Sequence, residues 1–288
     1  MRQYIDFHMH TTLSDGAYSP TRLCAMAQTA GIGTLAITDH NYTEDLTELR
    51  ATFPNLRLIQ GAEISCLYTD CKGKETELHI VALGFDPHDP SMRSVLARNQ
   101  TDRRFYVDAI LDRLRAYDID LGSYDTLCQI YPNSRHVGRM AIAKTMVERG
   151  YVSSIDEAFD KYIGAHGKRK AYVPNLIEYV SLEEAVSAVV NSGGVAVLAH
   201  LCYYLFNSNE NHTLLRRFKD LTGQRGALEV FYARYNQEQC DVLKALADQY
   251  ELMYSAASDF HGQNPNESLE NRFISNNCAA LLSALGVD

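Results

Sequence analysis

Short apolar runs alternate along most of this chain with longer segments whose apolar positions recur three and four residues apart. Residues 4–8, 34–38, 56–66, 76–85, 194–199, 227–231 and 251–255 read as strands, several of them too uniformly apolar to leave one face in water. The intervening segments carry the period of helices with one buried face. Ser19-Pro20 opens the first of them, with Ser as N-cap and Pro at the first helical position, and Gly31 follows its end. Residues 43–53 predict a short helix, and 181–191 and 237–250 predict longer ones. The polar segment 70–74 predicts a turn, which makes the runs on either side of it a hairpin.

The alternation breaks at Asp86-Pro87-His88-Asp89-Pro90 and returns near Tyr172-Val173-Pro174. From 91 to 162 the pattern is helical, with polar faces and no strand, which predicts an inserted helical lid in a domain made of residues 1–90 and 163–288. Strands alternating with helices imply an α/β fold with a mostly parallel sheet.

Polar residues then break the pattern in one place again and again: the strand ends. His8 and His10 follow the first run, Asp15 the next turn, and Asp39-His40, Glu63, His79, His200 and Asp259-Phe260-His261 sit in or just past later ones. Side chains two apart on a strand share a face, so His8 and His10 can reach one point. Imidazole and carboxylate are the ordinary ligands of zinc, manganese and iron. Ligand-type residues at one end of many strands predict a closed barrel with its site at the C-terminal mouth. Asp6 and Asp39 are read as orienting the ligand histidines rather than binding metal.

Composition narrows the classes. A formal charge of −9 over 288 residues excludes the basic face that nucleic-acid polymers or membranes require. An anionic metabolite stays possible, because two or three divalent cations reverse the potential of one pocket. No apolar run reaches the roughly 18 residues of a membrane span. The N-terminus has no basic segment leading into an apolar one. Seven cysteines without a Cys-x-x-Cys pair fit a reducing compartment, so a cytoplasmic protein with cysteines in its core is expected. His88, His166 and His212 read as surface residues, and Lys168-Arg169-Lys170 as a solvated charge run.

Taken together, Tyr4-Ile5-Asp6-Phe7-His8-Met9-His10-Thr11, Ser14-Asp15-Gly16, Ile37-Thr38-Asp39-His40, Gly61-Ala62-Glu63-Ile64, Leu78-His79, Ala199-His200 and Ser258-Asp259-Phe260-His261-Gly262 resemble the signature motifs of the PHP (polymerase and histidinol phosphatase) phosphoesterases. The resemblance implies a distorted (β/α)7 barrel with an inserted helical lid and two or three divalent metals (Mn, Fe or Zn). It assigns His8, His10, Glu63 and Asp259 to one metal and Asp15, His40 and His261 to a second. A third falls to His79 and His200, with Glu63 as the bridge. Asn133-Ser134-Arg135-His136 resembles the lid of a branch acting on small phosphorylated sugars and nucleotides, which makes Arg135 a phosphate clamp and His136 a proton donor or phosphate ligand. Tyr235 stands where many of that branch carry His.

The resemblance extends to enzymes that open 5-phosphoribosyl 1,2-cyclic phosphate and then remove the remaining phosphate. The alternatives are a phosphatase for nucleotide 3′,5′-bisphosphates or mononucleotides, an amidohydrolase cutting C–N bonds, and a non-catalytic metal-binding module. The expected partner is a small phosphorylated metabolite, with no nucleic-acid polymer and no membrane. The amidohydrolase reading calls for a metal-bridging lysine at a strand end, where this chain has Glu63.

Overall fold

The computed structural model describes residues 4–287 apart from 102, 136, 165–166, 169–170, 174–178, 264–266 and 271–272. His136, His166, Arg169, Lys170 and Pro174 therefore lie outside the described residues. The chain begins with β1 (Tyr4–Asp6), α1 (Pro20–Thr29), β2 (Ile32–Ala36), α2 (Thr47–Thr52), β3 (Arg57–Ile59), β4 (Gly61–Thr69) and β5 (Glu75–Leu83). Helices α3 (Pro90–Thr101), α4 (Arg103–Arg115), α5 (Tyr124–Ile130), α6 (Arg139–Glu148) and α7 (Ile155–Ala158) follow. Alternation then resumes with α8 (Leu182–Asn191), β6 (Val195–Leu198), α9 (Ser208–Thr222), β7 (Gly226–Tyr232), α10 (Gln237–Gln249), β8 (Met253–Ala257), β9 (Phe273–Ile274) and α11 (Ala279–Ala284).

Local chemistry explains the boundaries. The Ser19 hydroxyl accepts the Arg22 N–H at 3.3 Å, and Gly31 takes φ +81° where the chain turns into β2. Ser181 and Glu184 form a reciprocal capping box at the start of α8. In the β4–β5 turn the Asp70 carboxylate accepts the N–H groups of Lys72 and Lys74. The short helix expected over 43–53 forms only from Thr47, after the Asp45 carboxylate accepts the Thr47 N–H at 2.8 Å.

The strands pair into two sheets, β3-β2-β1-β9 and β4-β5-β6-β7-β8. Parallel pairing holds within β1–β2–β3 and β6–β7–β8, while the hairpin reverses β5 so that it runs antiparallel to both β4 and β6. The sheets are thus mixed rather than mostly parallel, and among the described residues no closed sheet forms. Isolated parallel bridges stitch them at two seams, Met9 with Phe260 and His40 with Glu63. Both seams fall at the expected ligand positions, so strand ends converge there without continuous pairing.

Period-two alternation separates the layers. Val195 and Val197 face a core shared with Ile5, Phe7 and Ala256 between the sheets, whereas Ala196 and Leu198 face the helical layer of α3, α8, α9 and α10. Tyr106, Val107, Ile110, Ile142, Ile163 and Val173 belong to a separate hydrophobic cluster that spans the helical segment and the stretch just after it. Met92, Val95 and Leu96 of α3 instead join the sheet's outer core, so the insertion's own packing begins one helix after residue 91. Among the described residues no helix is long and apolar enough to cross a membrane.

Candidate metal centre

Strand alternation delivers the ligands. Ala62, Ile64 and Cys66 of β4 and Leu78, Ile80 and Ala82 of β5 face the helical layer, which turns Glu63, Ser65, His79 and Glu77 to the opposite face. Met9 enters the core beside α1 while His8 and His10 point the other way. Three non-glycine residues hold left-handed backbone just past strand ends: Asn41 (φ 50°), His200 (φ 31°) and Asp259 (φ 52°). Such turns cost about 1–3 kcal/mol each and concentrate at functional sites, where they re-aim a side chain.

All nine expected ligands meet. The Glu63 carboxylate lies 3.3 Å from His8 Nε2, 3.3 Å from His10 Nε2, 2.8 Å from His40 Nδ1, 2.8 Å from His79 Nδ1 and 3.3 Å from His200 Nε2. Asp15 lies 3.5 Å from His40 Nε2 and 3.3 Å from His261 Nε2, and Asp259 lies 3.2 Å from His10 Nε2. Three groups bring their ligand atoms close enough for one ion each: His10, Asp15, His40 and His261; His8, His10 and Glu63; and His40, Glu63 and His79. His10 and His40 thus face two positions at once, and His200 and Asp259 border the groups.

The residues fit divalent cations. His8 Nε2, both nitrogens of His10 and Glu63 Oε2 are buried and have no hydrogen-bond partner, although such atoms are costly to leave unpaired. Charge points the same way. Burial alone raises the Glu63, Asp15 and Asp259 carboxyls, but the surrounding histidines hold them well below the usual carboxylate range. In return, and against burial, Glu63 and Asp15 raise His40 to about 10, and Glu63 raises His79 to about 9. Burial, then the His261 and His40 charges, push His10 down to about 3. Three carboxylates therefore demand positive charge at this point.

The supporting shell differs from the expectation. Asp6 accepts the N–H groups of His8 (3.2 Å) and Ser258 (3.1 Å), and Asp39 accepts those of Thr11 (2.9 Å) and Ser14 (3.1 Å). They pin the backbone of the ligand loops instead of the imidazole rings. The rings are oriented by two glutamates that sequence reasoning missed. Glu229 lies 2.9 Å from His8 Nδ1 and accepts the His200 N–H at 2.7 Å, while Glu77 lies 3.4 Å from His79 Nε2. The Tyr232 hydroxyl donates to Asp259 at 2.8 Å. A signal existed for Glu229, a lone charge on the inward face of the otherwise apolar β7.

A cavity of about 220 Å³ stands over the cluster. Arg103 and Arg139 line it, with Tyr106 and Tyr179 beside them. Arg103 is only 4% exposed, and its Nε and Nη2 have no partner. Arg139 sits 5.2 Å over the Tyr172 ring and 5.9 Å over the Phe159 ring. Arg135 is exposed and is not among the lining residues; its N–H donates to the Leu13 carbonyl at 2.6 Å. His88 and Lys168 are exposed, whereas the His212 ring lies 2.8 Å from the Tyr250 hydroxyl. Cys24, Cys66 and Cys278 are buried, and Cys71 is exposed. A larger cavity, about 760 Å³ beside α1, is lined by none of the nine ligands.

Comparison with known proteins agrees with this geometry. The family model for the PHP domain matches residues 6–233. The chain is 34% identical over 264 residues to the 5′-3′ exoribonuclease Rnm of Salmonella typhimurium, covering 90% of this chain and 86% of that protein. It is 31% identical over 265 residues to a 3′,5′-nucleoside bisphosphate phosphatase of Chromobacterium violaceum, covering 89% and 87%. A phosphoribosyl 1,2-cyclic phosphate 1,2-diphosphodiesterase of Eggerthella lenta is 25% identical over 264 residues, covering 90% and 94%. Among solved structures, an amidohydrolase from Chromobacterium violaceum with bound sulfate and no metal superimposes with a TM-score of 0.84 at 28% identity, covering 98% and 96%. A Bifidobacterium adolescentis protein named as a metal-dependent phosphoesterase gives 0.82 at 27% identity, covering 98% and 96%.

Proposed function

The chain belongs to the PHP domain family and is a metal-dependent phosphoesterase; from that premise we propose that it cuts the phosphate ester on the 3′-oxygen of a nucleotide already phosphorylated at its 5′ end. The observation that carries this reading is the cavity lined by seven of the nine ligands together with Arg103 and Arg139, two cations that would meet a second, non-reacting anion. Two buried guanidinium nitrogens of Arg103 without a hydrogen-bond partner are costly unless an anion completes them, and the planar fork pairs two phosphate oxygens at once. One relative is named for 3′,5′-nucleoside bisphosphates and another as a 5′-3′ exoribonuclease, and both kinds of substrate carry a phosphate ester on a 3′-oxygen. The end of an RNA chain needs positive charge only in this one pocket, which bound cations would supply despite the net charge of −9.

The nine residues named above would hold two or three divalent cations. When bound, such ions lower the pKa of water and neutralise charge on phosphoryl oxygens. The chain's own residues do the rest. Glu229, Glu77 and Tyr232 fix His8, His79 and Asp259 in place, so little reorganisation accompanies the reaction. Arg103 and Arg139 hold the non-reacting phosphate and register the substrate, which matters because phosphoryl transfer asks mainly for positioning and electrostatics. The helical insertion that supplies both arginines acts as a lid over the mouth. Glu63 occupies the bridging place, and the lining residues of the cavity include no lysine of the amidohydrolase kind.

The test is a product assay on metal-loaded protein. It compares a nucleoside 3′,5′-bisphosphate, a 5′-phosphorylated oligoribonucleotide, its 5′-hydroxyl counterpart and 5-phosphoribosyl 1,2-cyclic phosphate. Turnover of the first two, with a strong loss when the 5′-phosphate is missing, is expected. Preference for the cyclic ester would restore the sugar-phosphate reading.

A further inference from the structure

We propose that a second cavity, on the far side of the cluster, is the subsite for the next nucleoside of an RNA chain, the group that stays on the scissile phosphorus. This deepens the proposed function and rests on it. The second cavity measures about 530 Å³ and lies between α6–α7 and the segment carrying Arg234. It shares Asp259, His261, Met140 and Phe159 with the smaller cavity above the ligands. Phosphorus held at the cluster therefore borders two chambers. Phe159 lines both, with Arg139 on its ring at 5.9 Å.

Reaction chemistry assigns the occupants. In a nucleoside 3′,5′-bisphosphate, water oxygen adds to the 3′ phosphorus, the P–O3′ bond breaks, O3′ takes up a proton, and inorganic phosphate departs. Breaking the same bond in a 5′-phosphorylated chain frees the first nucleotide with its 5′-phosphate and a new 3′-hydroxyl. The phosphate then remains on the 5′-oxygen of the next nucleoside. The first nucleotide, with its extra phosphate, matches the inner cavity that holds Arg103 and Arg139. The next nucleoside needs room on the other side, which a bisphosphate leaves unused.

The walls of the second chamber suit a neutral nucleoside better than another strong anion. Its volume falls within the ~300–1,000 Å³ range of small-ligand pockets. Val147, Ile155 and Phe159 offer half-buried apolar surface to base and sugar. Asp156 offers acceptors to ribose hydroxyls and exocyclic amines, and with Glu267, whose carboxylate accepts the N–H groups of His261 and Gly262, it disfavours a phosphate deep inside. Arg234 lies at the rim, its side chain 46% exposed and 3.2 Å from Glu267, in position for the following phosphate.

The experiment measures kcat/KM on three compounds: a nucleoside 3′,5′-bisphosphate, its 3′-(methyl phosphate) ester, and a 5′-phosphorylated diribonucleotide. Wild type is expected to cut the dinucleotide at least about tenfold better than the methyl ester, the scale on which a filled pocket discriminates. Ile155→Trp and, independently, Val147→Phe narrow the chamber and should lower the dinucleotide-to-bisphosphate ratio by at least about tenfold. Turnover of the bisphosphate by the same preparations reports that fold and cluster survive. Equal wild-type rates on the methyl ester and the dinucleotide overturn the subsite, as does proportional loss on all three compounds. Activity on the bisphosphate without activity on the dinucleotide also overturns the subsite and leaves the proposed function standing. Inertness toward all three removes both.

Discussion

Glu63 is the residue on which the centre turns, because its two oxygens face five imidazoles, two from the end of β1 and one each from after β2, within β5 and after β6. Glu63→Gln keeps the shape but removes the charge that draws cations to two of the three ligand groups. Metal content should fall by more than one equivalent per chain, and kcat should drop by roughly 10²–10³, the cost of losing one electrostatic contact in a preorganised site. Glu229 acts one step further out, through the His8 ring. Glu229→Gln should weaken metal binding only about 10–100-fold and recover activity at high metal concentration, as expected when an orienting partner is lost. Metal titrations of the two variants separate the roles. Recovery of Glu63→Gln at high metal, or failure of Glu229→Gln to recover, would contradict this division.

At the scale of elements, α4 carries the clearest trade between stability and function. Arg103 continues the helix's buried stripe of Tyr106, Val107, Ile110, Leu111 and Leu114, so a charge occupies a position the packing would give to an apolar residue. Arg103→Met should therefore stabilise the fold by about 1 kcal/mol, since it removes two unpartnered buried nitrogens while the loss of one cation beside the Glu77 carboxylate offsets part of the gain. The same change should cost about 2–4 kcal/mol in kcat/KM on a 5′-phosphorylated substrate, and far less on a 5′-hydroxyl one. Thermal melts and paired assays check both halves; loss of stability together with equal loss on both substrates would refute them.

The same helix shows what the sequence did and did not disclose. Strand ends were readable because His8, His40, His200 and His261 interrupt or follow apolar runs that could be nothing but buried strands. Of the supporting glutamates, Glu229 stands out as the lone charge of an apolar strand, whereas Glu77 lies in a polar stretch of β5 where only the facing His79 reveals its use. The clamp was sought at Arg135, in a polar helix-start motif. Arg103 and Arg139 reach the cavity through the way the insertion packs, which helical period alone does not specify. The barrel expectation met a similar limit: apolar alternation indicates strands, but not that β5 runs antiparallel to both neighbours.

Across the whole molecule the cluster lies where the two sheets join, at the Met9–Phe260 and His40–Glu63 bridges. The carboxylates at these seams need compensation, so cations there should stabilise the entire fold and not merely one loop. At free metal about 100-fold above Kd, one bound ion contributes ~2.7 kcal/mol, which for a chain of this size moves the melting temperature by roughly 5–10 °C. Differential scanning calorimetry before and after chelation should show that shift in a single cooperative transition. An unchanged melting temperature, or loss of only a local transition, would separate the cluster from the joint between the sheets.

The central claim is that these nine residues hold catalytic cations, and one titration tests it most directly. Protein stripped with chelator is given manganese in known equivalents, and inorganic phosphate release from a nucleoside 3′,5′-bisphosphate is followed. The account predicts no turnover without metal and a rise that saturates at two or three equivalents per chain, matching the three ligand groups. Turnover that survives complete chelation, or none at any metal load, would contradict it.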